Sequence, residues 1–357
     1  MTPPIDQKRE AIPRGALILV VLAAGCVVAI SLKLAAGIVA PTFLALVLTI
    51  VASPVRDLLT RHGAPRWLGT LVAALVIYLG MFTLAFLIVV SGAEVAGILP
   101  QYASSLDSLL DSVKAWLAGL NIQPEQVSAL TSSIDLGNVG ALITSVLGSL
   151  VSVVTSVLFV LAVVLFMFVD SRQFIEHLGK ITQERPAFVT AMSRFTHGTR
   201  RYLVVTTVFG AIVSVLDTLF LWFVGVPGAL LWGLLAFVTN YIPNIGFFIG
   251  LLPPAILALL SGGWGLFFEV VIVYIVLNAV IQSIIQPKLV GDAVGLSATV
   301  TFLSLLVWAL LLGGLGAVLA VPLTLLVKAL LVDVDPRTRW MGGLLGDRST
   351  TVPPAPS

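Results

Sequence analysis

Residues 225–260 read GVPGALLWGLLAFVTNYIPNIGFFIGLLPPAILALL. The run is apolar enough for a bilayer, yet Asn240, Pro243, Asn244 and Gly246 separate its two apolar arms, and Pro253-Pro254 interrupts the second arm. Proline removes a backbone donor and crowds the preceding turn. Backbone that leaves the helix at membrane depth is tolerated only where protein buries it or where it lines a watery cavity. The break is therefore a candidate site for a solute or an ion. Its arms, about residues 229–241 and 245–260, span roughly 20 and 24 Å at 1.5 Å per residue. Both are short of a hydrocarbon core about 30 Å thick, which favours a re-entrant hairpin, with two tilted full spans as the alternative.

Composition agrees with a membrane setting. The chain has 357 residues, 59% hydrophobic and 10% charged, with a mean hydropathy of +1.11, against a charged share of about 25% in soluble proteins. The expected fold is an all-α polytopic membrane protein with about eight membrane segments, re-entrant helical hairpins included. Cys26 is the single cysteine, so neither an intramolecular disulfide nor a cysteine metal cluster is available. Lys8, Arg9 and Arg14 precede an apolar run over 16–32 that is longer than a signal-peptide core of about 7–15 residues. Another apolar segment follows almost at once, so residues 1–15 read as a cytoplasmic tail and 16–90 as three membrane helices.

Arg56, Arg61 and Arg66 mark a cytoplasmic loop by the positive-inside rule. Over 91–146 hydropathy falls, and Glu94, Asp107, Asp111, Glu125 and Asp135 face one base, Lys114. Apolar residues recur there at helical spacing, as in Leu106, Leu109, Leu110, Val113 and Trp116–Leu117, which predicts an extracytoplasmic amphipathic region. A membrane core over 147–332 follows. Its basic loop, 170–201, contains Arg172, Lys180, Arg185, Arg194, Arg200 and Arg201; it reads as cytoplasmic and as two amphipathic helices parted near Pro186, and ordinary topology is a sufficient cause of its bases, with contact to anionic lipid headgroups as the alternative. The broken segments are 229–260 and 296–332, the second divided by Gly313-Gly314 and Gly316 into another hairpin. Arg337, Arg339 and Arg348 place the tail, 333–357, in the cytoplasm, where its proline-rich end is expected to be disordered. Both termini are thus cytoplasmic. No convincing internal sequence repeat is found.

Asp217 lies about two-thirds along the fifth span, where an ionised carboxylate costs at least ~2.5–3.5 kcal/mol. It reads as a proton or cation site, or else as a carboxylate near the outer interface or held by its neighbours. Tyr274, Asn278, Gln282 and Gln286 recur at i+4 and form one polar stripe on an apolar helix. That stripe serves either interhelical hydrogen bonds or a translocation surface. Ser297 reads as a helix cap and Lys328 as a side chain that snorkels to the interface. The candidate binding set is Asp217, Asn240, Pro243, Asn244, Gly246, Asn278, Gln282 and Gln286. His62, His177 and His197 lie in loops without metal-ligand spacing, and neither a phosphate-binding loop nor a nucleophile motif occurs. The expectation is a non-enzyme without cofactor, with H+ or Na+ coupling and no nucleic-acid partner. Interrupted hydrophobic segments point to a secondary transporter; a membrane scaffold and an oligomeric channel are the rivals.

At Val226-Pro227-Gly228-Ala229-Leu230-Leu231-Trp232-Gly233, at Pro243-Asn244-Ile245-Gly246, and from Gln286-Pro287-Lys288-Leu289-Val290-Gly291 to Gly295-Leu296-Ser297, the chain resembles the autoinducer-2 exporter-like family. The likeness extends to Gly313-Gly314-Leu315-Gly316 and Ala320-Val321-Pro322-Leu323. Phe247 and Ala298 stand where that family often has proline. The resemblance implies a bacterial inner-membrane secondary transporter with cytoplasmic termini, re-entrant hairpins and a homo-oligomeric assembly. Its cargo would be an autoinducer-2-like solute for export, or ions exchanged as in sodium/proton antiport.

Overall fold

The computed structural model describes residues 14–102, 108, 139–243, 245–286, 296–335, 338, 342 and 346. Among them there are helices and no strands. In chain order these are α1 (Arg14–Leu34), α2 (Ala36–Arg61), α3 (Arg66–Ile98) with a 3-10 turn at Leu99–Tyr102, α4 (Val139–Glu184) and α5 (Pro186–Phe223). Then follow α6 (Ala229–Thr239), α7 (Gly246–Asn278), α8 (Ala298–Val318) and α9 (Ala320–Lys328). Two π-helical stretches, Ala279–Ile285 and Ala329–Asp333, extend α7 and α9.

Six helices among the described residues are long and apolar enough to cross a membrane. Their outward faces bear this out: Leu71, Leu75, Leu79, Phe82 and Phe86 on α3 are all exposed, an arrangement that only hydrocarbon solvates without cost. The chain is an all-α, multi-pass membrane protein. Where helices meet, small residues let them approach: Ala45, Ala52 and Ala73 are buried with Ile77, Val160, Val164 and Phe168 between α2, α3 and α4. The Tyr78 hydroxyl donates to the Leu161 carbonyl at 2.6 Å across that seam.

The basic stretch 170–201 is helical on both sides of Arg185. α4 continues to Glu184, and α5 starts with Pro186 in its first turn, where proline's missing donor is harmless. α5 is the post of the core. Its lower part, Ala191, Phe195 and Leu203, packs with Phe43 and Val47 of α2 and with Leu323 and Leu325 of α9. Its middle part, Val205, Phe209 and Val213, packs with Ile281.

Two long helices fold back on themselves. Gly263 in α7 has φ 72 and ψ −167, and Gly313 in α8 has φ 69 and ψ −150, a region of backbone space that is essentially reserved for glycine. Ala258 and Tyr274 would stand roughly 24 Å apart on a straight helix, yet they share one buried cluster. Trp308 and Thr324 have the same separation in sequence, and the indole Nε1 donates to the Thr324 hydroxyl at 3.0 Å. Each helix pair is therefore a hairpin.

Replacing Gly263 by Ala isolates the backbone term, because an added Cβ meets nothing within 4 Å. The expected loss is about 1–3 kcal/mol of stability, read as a lower Tm of purified protein. Gly265→Ala, also in open space but without a positive φ, should leave Tm unchanged or slightly raised.

Candidate functional site

Helical periodicity turns Gly210, Val213, Asp217 and Leu221 of α5 inward together, while Val208, Ile212, Val215 and Leu219 face out. Asp217 is 0% exposed. It borders a cavity of about 20 Å³ with Ala236, Thr239 and Asn240 at the end of α6, Phe247 and Gly250 on the first arm of α7, and Tyr274, Asn278 and Gln282 on the returning arm. That volume suits one water-sized particle. Neither carboxylate oxygen of Asp217 has a hydrogen-bond partner among the described residues, and neither does the Tyr274 hydroxyl. Buried polar atoms are nearly always paired, so two such groups on one small cavity set this place apart from the rest of the core.

The amides around the cavity form a connected chain. Asn278 Nδ2 donates to the Tyr274 carbonyl at 2.9 Å. Gln282 Nε2 donates to Asn278 Oδ1 at 2.7 Å and to Asn240 Oδ1 at 2.9 Å. Asn240 Nδ2 in turn donates to the Thr206 carbonyl of α5 at 3.1 Å. Both Gln282 amide protons are spent this way, which leaves its carbonyl oxygen as an acceptor. The returning arm of α7, the tip after α6 and the α5 post are thereby joined through side chains.

The tip itself is clamped to α5. Tyr202 donates its hydroxyl proton to the Tyr241 carbonyl at 3.0 Å, and the Tyr241 and Thr207 hydroxyls are 2.7 Å apart. α6 and the first arm of α7 run back to back from it, close enough that a Cβ on Gly246 would collide with the Thr239 carbonyl. At Gly250 a Cβ would sit 2.9 Å from the Thr239 hydroxyl, and at Gly210 it would sit 2.6 Å from Asn240 Nδ2. Glycine at 210 is what admits the Asn240 side chain against α5.

A family model described as AI-2E family transporter matches residues 17–334. The chain belongs to the AI-2E transporter family. Similar proteins include the AI-2 transport protein TqsA of Escherichia coli, 31% identical over 317 residues that cover 88% of this chain and 91% of that protein. A Haemophilus influenzae protein with a provisional transport name is 33% identical over 332 residues, 91% of this chain and 95% of its own. The family and its relatives support a membrane transporter.

Of the sequence-predicted set for this AI-2E family member, Asp217, Asn240, Asn278 and Gln282 converge on the cavity. Pro243 and Gly246 shape the hairpin tip and do not line it. Gln286, one turn beyond Gln282, does not line it either. Asn244 falls outside the described residues. Tyr274 was visible as part of the polar stripe, while Thr239, Gly210 and the clamp formed by Tyr202, Thr206 and Thr207 escaped sequence reasoning. A small residue and hydroxyls on the Asp217 helix were the available signal. Among the described residues no group of three or more His, Cys, Asp or Glu could hold a metal ion.

Two isosteric variants test whether these orphaned groups serve stability. Tyr274→Phe and Asp217→Asn each remove or neutralise an atom that makes no protein hydrogen bond. Leaving such a group unpaired costs about 1–3 kcal/mol, so Tyr274→Phe is expected to match or exceed the wild-type Tm. Asp217→Asn should at least match it. A Tm loss of several degrees in either variant contradicts this.

Proposed function

We propose that this protein is a secondary transporter working by alternating access, with the Asp217 cavity as the station for its coupling ion. The observation that carries the reading is a fully buried carboxylate, unpartnered among described residues, on a polar cavity at the break between α6 and α7. Intramembrane acids of this kind mark ion and proton pathways. Discontinuous helices near such a group present half-helix ends and free carbonyls to a charge. The cavity admits a water-sized particle, which favours H+ or Na+ exchange in this conformation. A cargo of solute size needs the hairpin tip to move away from α5.

TqsA is named for AI-2 transport, and this supports a second cargo reading, export of an autoinducer-2-like solute coupled to the same ion. In the orientation supported by the Lys and Arg distribution, both termini are cytoplasmic and the membrane is a bacterial inner membrane. The arms of α6 and of the α7 and α8 hairpins act as re-entrant elements, and α6, with 11 residues, is about 17 Å long, too short to span alone. Homo-oligomerisation, as the family resemblance implies, would cover part of the exposed apolar surface.

Proteoliposomes carrying purified protein, challenged separately with sodium gradients, pH gradients and labelled autoinducer-2, test the proposal. Gradient-driven flux is expected, and Asp217→Asn should reduce it at least about tenfold and abolish its pH and sodium dependence. Unchanged dependence in that variant removes Asp217 from the mechanism. Steady unsaturable currents would instead indicate a channel, and absence of flux from folded protein a scaffold.

A further inference from the structure

The two hairpins share one backbone plan in a 50-residue register. Residues 246–285 comprise a helix, a turn at Gly263, a returning helix and a π stretch that starts at Ala279. Residues 296–335 repeat this order with Gly313 and Ala329. The glycines adopt nearly the same φ and ψ, and each π stretch begins sixteen residues after its glycine. Where the arms meet, the first hairpin sets a small residue, Ala258, in one cluster with a large one, Tyr274. The second exchanges the sizes, with Trp308 against Thr324. Both returning arms also rest on α5, the first through Ile281 and the second through Leu325 and Ala329.

In this register Lys328 takes the place of Asn278, which lines the Asp217 cavity. Lys328 Nζ lies 3.5 Å from Asp333 Oδ2, with side-chain exposures of 10% and 7%. Its head group is held in the protein by Asp333, in contrast to the interfacial snorkelling expected from sequence. A buried carboxylate that stays ionised is stabilised by a positive partner, and among the described residues Lys328 supplies one from the same hairpin, on a four-carbon tether.

We propose that Asp333 forms a second carboxylate cation site, in the duplicated hairpin, that the Lys328 ammonium fills permanently. The comparison with the first hairpin rests on reading Asp217 as an ion site. The prediction for Asp333 itself does not depend on it. The first hairpin then lines, with Asp217 of α5, a cavity for an exchangeable cation, while the second supplies both the carboxylate and its cation.

The test is thermal unfolding of the full-length purified protein at equal ionic strength in sodium, potassium or N-methyl-D-glucamine chloride. Lys328→Met is made in an Asp217→Asn background, so that the first cavity contributes no response. Its Tm is expected to rise saturably, by a few degrees, with sodium or potassium and not with N-methyl-D-glucamine, as for a ligand that binds only folded protein. Asp217→Asn alone, Asp217→Asn with Lys328→Arg, and the background carrying both Lys328→Met and Asp333→Asn should show no such rise. A Lys328→Met protein indifferent to cation identity overturns the proposal. So does one that folds in no salt, whether or not adding Asp333→Asn restores folding, because a mobile ion then cannot replace the tethered one. Since Asp217 is absent throughout, a negative result leaves the Asp217 reading to the flux assay.

Discussion

The fold depends on how the helix break after Thr239 is satisfied. A bilayer offers no water to backbone groups freed by a break, so the residues that end α6 must find partners in the protein. α5 supplies them: Tyr202 covers the Tyr241 carbonyl, Thr207 meets the Tyr241 hydroxyl, and the Thr206 carbonyl takes the Asn240 amide. The last of these bonds also has a local consequence, because a helical Thr206 carbonyl that accepts a side chain ties the break to α5 at one fixed height. Asp217 lies three turns further along the same helix, and its height relative to the break is thereby set.

That placement explains why the polar groups gather where they do. The returning arm of α7 brings Tyr274, Asn278 and Gln282 to the level of the break only because Gly263 reverses the chain. Close packing of α6 on the first arm of α7, through Gly246 and Gly250, leaves little room between α5 and the hairpin. The result is a cavity for one small particle, walled by amides whose mutual hydrogen bonds fix their orientation. The hairpin is joined to α5 by side-chain hydrogen bonds. Interhelical bonds of that sort are worth only about 0.6 kcal/mol each on average, and the proposed alternating-access cycle would exchange several of them.

Much of this was legible in the sequence, and the exceptions share a cause. The break, the glycine hairpin at Gly313, the cap at Ser297, whose hydroxyl accepts from the Val300 amide at 3.3 Å, and the helix boundary at Pro186 are local features, dictated by glycine, proline and serine chemistry within a few residues. Asp217 stood out because an acid in a span is costly wherever it points. The pairing of Asn240 with Gln282 and Thr206 was not legible, since those residues are separated by 42 and 34 positions and nothing local fixes their relative height. Gln286, one turn beyond Gln282, is not among the residues that line the cavity. Lys328 and Asp333 are only five positions apart, yet snorkelling is the default for a lysine near a helix end and an ordinary α-helix does not bring i and i+5 together; the π stretch over Ala329–Asp333 does.

The repeated hairpin escaped detection for a physical reason too. In the 50-residue register, 246–285 and 296–335 are identical only at Leu260/Leu310, Gly263/Gly313, Val271/Val321 and Ala279/Ala329. Positions facing lipid accept nearly any apolar side chain, so they retain no memory of register, and buried positions can exchange large for small across a contact, as Ala258/Tyr274 and Trp308/Thr324 do. What cannot be exchanged is backbone geometry that a single residue type permits. The two glycines therefore persist at matching positions, and a proline follows each π stretch, while the intervening sequence diverges. The polar positions change with the same freedom: Lys328 stands where the first hairpin has Asn278, and instead of lining a cavity it meets a carboxylate of its own hairpin, Asp333, 3.5 Å away.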